Sequence, residues 1–287
     1  MEFITFGPAH LNVTDLERSL HFYRDILGMQ VRKTGIPAEV GTSERTLVVL
    51  HPNAKTPFLR GGYSGLYHVA IHLPSEKELA QLYVRLTKKK WKAGATDHII
   101  AKSIYVNDPD GILFELAFET PQRVVEYRIT DKELTAIDDK GQLRKMVEPL
   151  DLNELLSQLH DDYSEHPFPD KAIVGHFNLH VGDLQAAYEF YKGIGFTEHF
   201  NFPLQGWGDL GAGGITDHRI AVNTWAGVNA PKAPEGTAGL GYAILKYDSK
   251  ERLSKAVDTI SNVEKKNEGY FVEDPAGNKL MLTTENL

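Results

Sequence analysis

Residues 96–115 read TDHIIAKSIYVNDPDGILFE and place His98, Tyr105 and Glu115 within one short stretch. A histidine can accept a proton and later return it near neutral pH, and a tyrosine hydroxyl can hold a reacting oxygen. Glu115 is the more informative acid, because the run around it, 113–118, is otherwise apolar. A carboxylate buried on such a strand needs a compensating partner such as a cation or a metal ion. The chain has twelve histidines and no cysteine, so disulfides and thiolate ligands are excluded and any metal must sit on nitrogen and oxygen donors.

The elements that position these residues follow from internal repetition. The segment opening at Gly7, GPAHLNVTDLERSLHFYRDILGMQV, is restated from Gly175 as GHFNLHVGDLQAAYEFYKGIGFTEHF, and weaker copies open at Gly65 and Gly239. Each begins with an alternating apolar run, as in Val69, Ile71 and Leu73, which period two assigns to a strand. A helix follows. Thr14 with Glu17 and Ser75 with Glu78 have capping-box spacing ahead of the apolar stripes Leu16, Leu20, Tyr23, Leu27 and Leu79, Leu82, Tyr83, Leu86. Gly28 and Gly195 sit where helices stop in a left-handed conformation. Strand-like runs come next, at 46–50, 103–106, 113–118, 220–224 and 280–283.

The unit is therefore βαβββ, present four times, and the fold class is α+β. We divide the chain into a first pair of modules at 1–120 (1–60 and 61–120) and a second pair at 172–287 (172–230 and 236–287). Between them, 121–171 is a charged linker with an expected helix at 151–163, read as a crossover or strap and not as part of a site. The tetrapeptide Asp108-Pro109-Asp110-Gly111 returns as Asp274-Pro275-Ala276-Gly277 in module 4, which marks it as a hairpin turn before anything catalytic.

With 287 residues and 41% apolar content the chain can bury ample core. A formal charge of −8 offers no basic face for nucleic acid or an anionic membrane, and the one basic run, KKKWK at 88–92, reads as a solvated helix end. No apolar signal core and no run of eighteen apolar residues is present, which suits a cytoplasmic enzyme acting on a small molecule. Nothing marks an oligomer interface, and a homo-oligomer stays open.

Four βαβββ units with these openings resemble the vicinal oxygen chelate superfamily, which includes glyoxalase I, fosfomycin resistance proteins, methylmalonyl-CoA epimerase and the extradiol dioxygenases. Residues Thr96, His98, Ile104, Tyr105, Asp108, Pro109, Gly111 and Glu115 match the extradiol signature at every fixed place. Within the superfamily the chain is most similar to the catechol 2,3-dioxygenase branch of Gram-positive bacteria. The resemblance covers nearly everything except the linker. It implies two half-open β-bowls, each built from two modules, with metal ligands on the first and last strands. It also implies an Fe(II) site, for which Mn(II) is an alternative, acting on a catechol or hydroquinone and dioxygen.

In that family the first-strand histidine lies seven residues before the residue that opens the helix. By this count the position is Pro8 in module 1, His68 in module 2, His176 in module 3 and Tyr242 in module 4, while Phe271 and Met281 stand opposite Tyr105 and Glu115. Pairing modules 1 with 2 and 3 with 4 leaves both bowls broken. Pairing 2 with 3 gathers His68, Glu115 and His176 as one ligand set and puts every vacancy in the bowl of modules 1 and 4. We favour the second pairing; the rival has His10 completing a bowl with module 2, and His51 as its acid–base histidine. Under the favoured pairing the resemblance assigns His98 and Tyr105 supporting catalytic places and His218 the acid–base place, with Tyr63, Tyr67, Trp207 and Trp225 at the mouth or in the packing. Two imidazoles and one carboxylate on one face of Fe(II) leave positions open for substrate. Competing activities on the same scaffold are a glyoxalase-like lyase or thiol transferase, whose members generally bring a fourth ligand, a glutamate, and a metal-free binding protein that sequesters a small aromatic or drug. No acidic residue occurs at 218–227 or 46–50 to supply that fourth ligand.

Overall fold

A computed structural model of the chain describes residues 2–130, 133–159, 166–214 and 218–284. Module 2 comprises the strand Gly65–His72, the helix Glu76–Lys88 and the strands Ala93–Asp97, Ala101–Asn107 and Leu113–Glu119. Module 3 repeats this order with Ile173–His180, the helix Leu184–Gly193, Thr197–Phe202, Trp207–Gly211 and Ile220–Asn223. Module 1 runs from Ala9–Asn12 through Leu16–His21, a π-helical turn at Phe22–Ile26, and Gln30–Lys33, Ala38–Gly41 and Thr46–His51. Module 4 has Gly239–Tyr247, Lys250–Asp258, Glu264–Lys266, Gly269–Glu273 and Lys279–Thr284.

The sheets answer which modules face each other. The first strands of modules 2 and 3 pair antiparallel, from His72↔Ile173 to Gly65↔His180, and each is flanked by the last strand of its own module in parallel register, as in Ala70↔Glu115 and Phe177↔Ile220. Modules 4 and 1 form the second sheet in the same way, with Gly239↔Asn12 and Tyr242↔His10. A further strand, Ile4–Phe6, pairs with Gly239–Tyr247 and carries Phe6 onto Phe177, tying the two bowls together at a ring separation of 5.2 Å.

Alternation along these strands separates core from site. Val69 and Ile71 pack toward Leu79, Leu82 and Leu86 on the module 2 helix, all buried in one core, so His68, Ala70 and His72 face the inside of the bowl. Gly28 and Gly195 adopt φ of +86° and +108°, as helix stops require. The basic run at 88–92 ends the module 2 helix with Lys88, Lys89, Lys90 and Lys92 exposed.

Three expectations need correction. Thr14 does not cap its helix: Asp15 accepts from the Arg18 amide, while Thr14 gives both its amide (2.8 Å) and its hydroxyl (2.5 Å) to Asp110 in the module 2 turn. That turn therefore also fastens module 1 to module 2. Ser75 and Glu78 do pair, with the Glu78 amide donating to Ser75 Oγ. The helix expected at 151–163 spans only Leu152–Leu156, because Ser157 turns its hydroxyl back onto the Glu154 carbonyl and competes with the helical ladder; residues 160–163 lie outside the described residues.

The linker is the third correction. It forms a small antiparallel sheet of Val124–Ile129, Leu134–Asp138 and Leu143–Lys145, then adds Glu148–Pro149 to the edge strand Ala93–Asp97 of the module 2/3 sheet. Asp97, buried, anchors it through Arg123 at 2.7 Å and Arg144 at 3.5 Å. The strap is thereby held over the open side of that sheet and takes part in the site.

Candidate metal centre

Inside the bowl of modules 2 and 3 a cavity of about 720 Å³ contains His68, Glu115 and His176. His68 Nε2 lies 3.0 Å and His176 Nε2 3.2 Å from the same Glu115 oxygen, Oε2, and the two ring nitrogens are 3.1 Å apart. All three side chains are buried. Three lone-pair-bearing atoms this close repel unless protons or a cation sit between them. Donors about 2.1 Å from one ion and about 90° apart would be ~3.0 Å from each other, so the observed triangle fits three adjacent positions of one metal ion.

The protonation states agree with that use. Burial, with the charge of nearby His218, holds His176 well below the ordinary histidine range, and Glu115 stays well below the carboxylate range because its contacts with the His176 and His68 rings outweigh its burial. Ser103 donates to the other Glu115 oxygen at 2.6 Å, which fixes Oε2 toward the histidines. An Fe(II)-type ion taking two imidazoles and one carboxylate suits this donor set.

Around the triad, His98 and Tyr105 are joined. His98 Nδ1–H donates to the Met146 carbonyl of the strap at 2.9 Å, which leaves Nε2 to accept the Tyr105 hydroxyl at 2.9 Å. Burial and the Glu115 charge push the Tyr105 phenol well above its usual range, so it stays neutral and available as a hydrogen-bond partner. On the module 3 side the His218 ring lies 4.2 Å from that of His176 and its Nδ1–H donates to Asp209 at 2.9 Å. Burial opposes a charge on His218, yet Asp209 outweighs it and raises the pKa above the ordinary value. His199 donates to the second Asp209 oxygen at 3.1 Å. Tyr67, Phe200, Trp207, Trp225, Met146 and Val147 complete an apolar wall, whereas Tyr63 lines a different cleft.

The sequence-named residues His68, His98, Tyr105, Glu115, His176 and His218 thus share one cavity. His10 and His51 do not: they lie in the other bowl, 2.9 Å apart, with Tyr242 stacked on His10 at 3.9 Å. There Phe271 pairs with Met281 as Tyr105 pairs with Glu115, so the second bowl keeps the architecture with its donors replaced by rings and a thioether. Reasoning from sequence missed Asp209, His199, His72 and Glu119. His72 and Glu119 each follow a ligand by four residues on the same strand, so period two alone places them on the ligand face. Asp209 and His199 carried no comparable signal, because the sequence around them does not restate that of module 2, although Asp209 stands opposite Ala221 as Tyr105 stands opposite Glu115.

Comparison with known proteins agrees with this architecture. The sequence model of the Glyoxalase/Bleomycin resistance protein/Dioxygenase superfamily matches residues 5–116. The chain is 32% identical over 277 residues to the catechol-2,3-dioxygenase of Bacillus subtilis (strain 168), covering 94% of this chain and 93% of that one. Among solved structures, a putative dioxygenase from Bacillus subtilis superposes with a TM-score of 0.59 at 11% identity, covering 99% of this chain and 86% of the other. Glyoxalase I from Zea mays gives a TM-score of 0.56 at 16% identity, over 97% and 92%. These structural likenesses speak for the fold, and the full-length sequence match goes further. With its βαβββ modules, its two-histidine, one-glutamate cluster and its similarity along nearly its whole length to a catechol-2,3-dioxygenase, the chain belongs to the glyoxalase/bleomycin resistance/dioxygenase superfamily.

Proposed function

We propose that the chain is an Fe(II)-dependent extradiol dioxygenase that opens the ring of catechol or of a substituted catechol or hydroquinone. The observation that carries this reading is the convergence of His68, Glu115 and His176 beside two hydrogen-bonded histidines and a tyrosine in a cavity walled by aromatic side chains. Similarity to a named catechol-2,3-dioxygenase along nearly the whole chain supports the reaction type.

A ferrous ion on these ligands would supply open coordination positions and a path for electron density between an aromatic diol and dioxygen. The chain's own residues do the rest. The apolar wall of Phe200, Trp207, Trp225 and Met146 excludes water and holds the ring by its faces. His218, oriented by Asp209 through Nδ1, presents Nε2 to take a hydroxyl proton from the diol and to return one later. Tyr105, fixed by His98, offers its hydroxyl to an oxygen of the reacting pair. The ring carbon–carbon bond beside the diol breaks, one atom of dioxygen ends in the new aldehyde and the other in the new carboxylate, so no outside reductant is consumed.

The test is direct. Protein loaded anaerobically with Fe(II), then given catechol and air, is expected to form a yellow semialdehyde carrying both atoms of ¹⁸O₂, and Glu115→Gln is expected to form none. Inactivity of metal-verified wild-type protein across a panel of catechols and hydroquinones would refute the proposal.

A further inference from the structure

His176 is the one ligand of the cluster whose far ring nitrogen is held. Its Nδ1 lies 3.0 Å from His72 Nε2, whereas His68 Nδ1 is buried without a hydrogen-bond partner. His72 Nδ1 in turn lies 3.5 Å from Glu119 Oε1, and that same oxygen accepts from Arg219 Nη1 at 2.8 Å. Arg219 also donates to the His218 carbonyl at 2.8 Å and, through Nε, to Glu2 at 2.7 Å. The chain of contacts runs His176–His72–Glu119–Arg219–Glu2, and it crosses from module 3 to module 2, back to module 3, and out to the N-terminal segment.

We infer that His72 and Glu119 are positioning residues for the metal site, fixing the tautomer and orientation of His176. The reasoning, which rests on the metal-centre reading above, is one of donors and acceptors. A carboxylate paired with arginine can only accept, so His72 carries its proton on Nδ1, facing Glu119. His72 Nε2 is then an acceptor and requires Nδ1–H on His176. This leaves the His176 Nε2 lone pair free and aimed at Glu115 and His68. The opposite tautomer would put a proton where the metal must bind. Metal-bound histidines in general have the second ring nitrogen held in this way, most often directly by a carboxylate or carbonyl; here a second imidazole is interposed.

The backbone is built for that ring. A Cβ on Gly175 would lie 2.1 Å from His72 Cγ and Cδ2, so only glycine beside the ligand lets the His72 ring lie against the strand. The pairing of the two first strands shifts register between Val174 and His176, at the same residue.

Metal affinity separates this role from packing. Apo protein titrated anaerobically with Fe(II), and separately with Co(II), is expected to show Kd raised about 10–100-fold by His72→Leu, the usual effect of losing such a partner. His72→Gln, which keeps an acceptor, should recover part of the loss. Glu119→Ala should weaken binding in the wild-type background and add nothing in the His72→Leu background, because it acts through His72. Should His72→Leu fail to fold, Glu119→Ala alone decides, with apo-protein circular dichroism as the folding control. Wild-type protein that binds neither ion overturns the metal reading and this inference with it. Wild-type binding with unchanged affinity in the folded variants overturns this inference and leaves the metal reading standing.

Discussion

Glu115→Gln isolates the one negative charge in the donor triangle while keeping the shape and the Ser103 hydrogen bond at 2.6 Å. In surroundings of effective dielectric about 20, a dipositive ion ~2.1 Å from a carboxylate oxygen attracts it by ~16 kcal/mol before desolvation is counted. Retaining only a fifth of this leaves ~3 kcal/mol, which weakens Kd by more than 100-fold. With free Fe(II) held at about 100 times the wild-type Kd, binding stabilises the wild-type fold by ~2.7 kcal/mol, and a 100-fold weaker variant by only ~0.4 kcal/mol. For a chain of 287 residues the unfolding entropy is ~0.6 kcal/mol/K, so the metal-induced rise in Tm should be about 4–5 °C in wild type and under about 1 °C in the variant. The assay is anaerobic differential scanning calorimetry with and without Fe(II). Equal metal-induced shifts in the two proteins would refute the assignment of Glu115 as a ligand, whatever the enzyme's activity.

Three further outcomes follow from the same geometry. Asp209→Asn, which removes the carboxylate 2.9 Å from His218 and leaves the triad untouched, should lower kcat about 100-fold or more while Fe(II) affinity stays within a few-fold; loss of metal binding instead would show that Asp209 builds the site and does not serve His218. Burial pushes the Asp108 carboxyl in the module 2 turn up to about 7, so the folded protein holds a proton there that the unfolded chain releases near the ordinary value of 3.8. Stability of the metal-free protein should therefore fall as pH rises through this window, by up to ~1.4 kcal/mol per pH unit, relative to Asp108→Asn; parallel urea-unfolding curves for the two proteins between those pH values would contradict it. Among the described residues no lysine or arginine lines the cavity, so a substrate carboxylate would be desolvated there without a side-chain partner; 3,4-dihydroxybenzoate should show KM at least about 10-fold above that of 4-methylcatechol, and the reverse order would point to a cation reaching the substrate.

Much of the site was legible because the chain repeats itself. With the ligand places named by the resemblance to the vicinal oxygen chelate superfamily, four copies of one module let each be compared with its own degenerate counterpart, so Pro8, Tyr242 and Met281 marked which places had lost their donors, and by subtraction which had kept them. The same comparison stripped the Asp-Pro-x-Gly turn of catalytic meaning. Yet it did not show that Asp110 of that turn reaches across to Thr14 and Arg18 of module 1, a contact between residues 92 and 96 positions apart. Capping rules failed at Thr14 for this reason: a distant carboxylate competed for the hydroxyl and Asp15 took over locally. The strap was misread because its residues belong to no repeat, and only its placement over the bowl brings the Met146 carbonyl to His98.

The sequence by itself determined the βαβββ module, its recurrence and the absence of thiolate chemistry, for which local periodicity and spacing suffice, since they concern neighbours along one strand or equivalent places in repeats. The six residues that the structure brings into one cavity were named through the resemblance to the vicinal oxygen chelate superfamily, which supplied the ligand and catalytic places that spacing alone does not. Which modules share a sheet was decided by tertiary structure, through the antiparallel pairing of Gly65–His72 with Ile173–His180 that no local signal specifies. The partners that tune the site came only with that pairing. His72 against His176, Asp209 against His218, and Glu119 against Arg219 are contacts between side chains whose residue types were plain in the sequence, but whose donor and acceptor roles exist only when the two strands lie side by side.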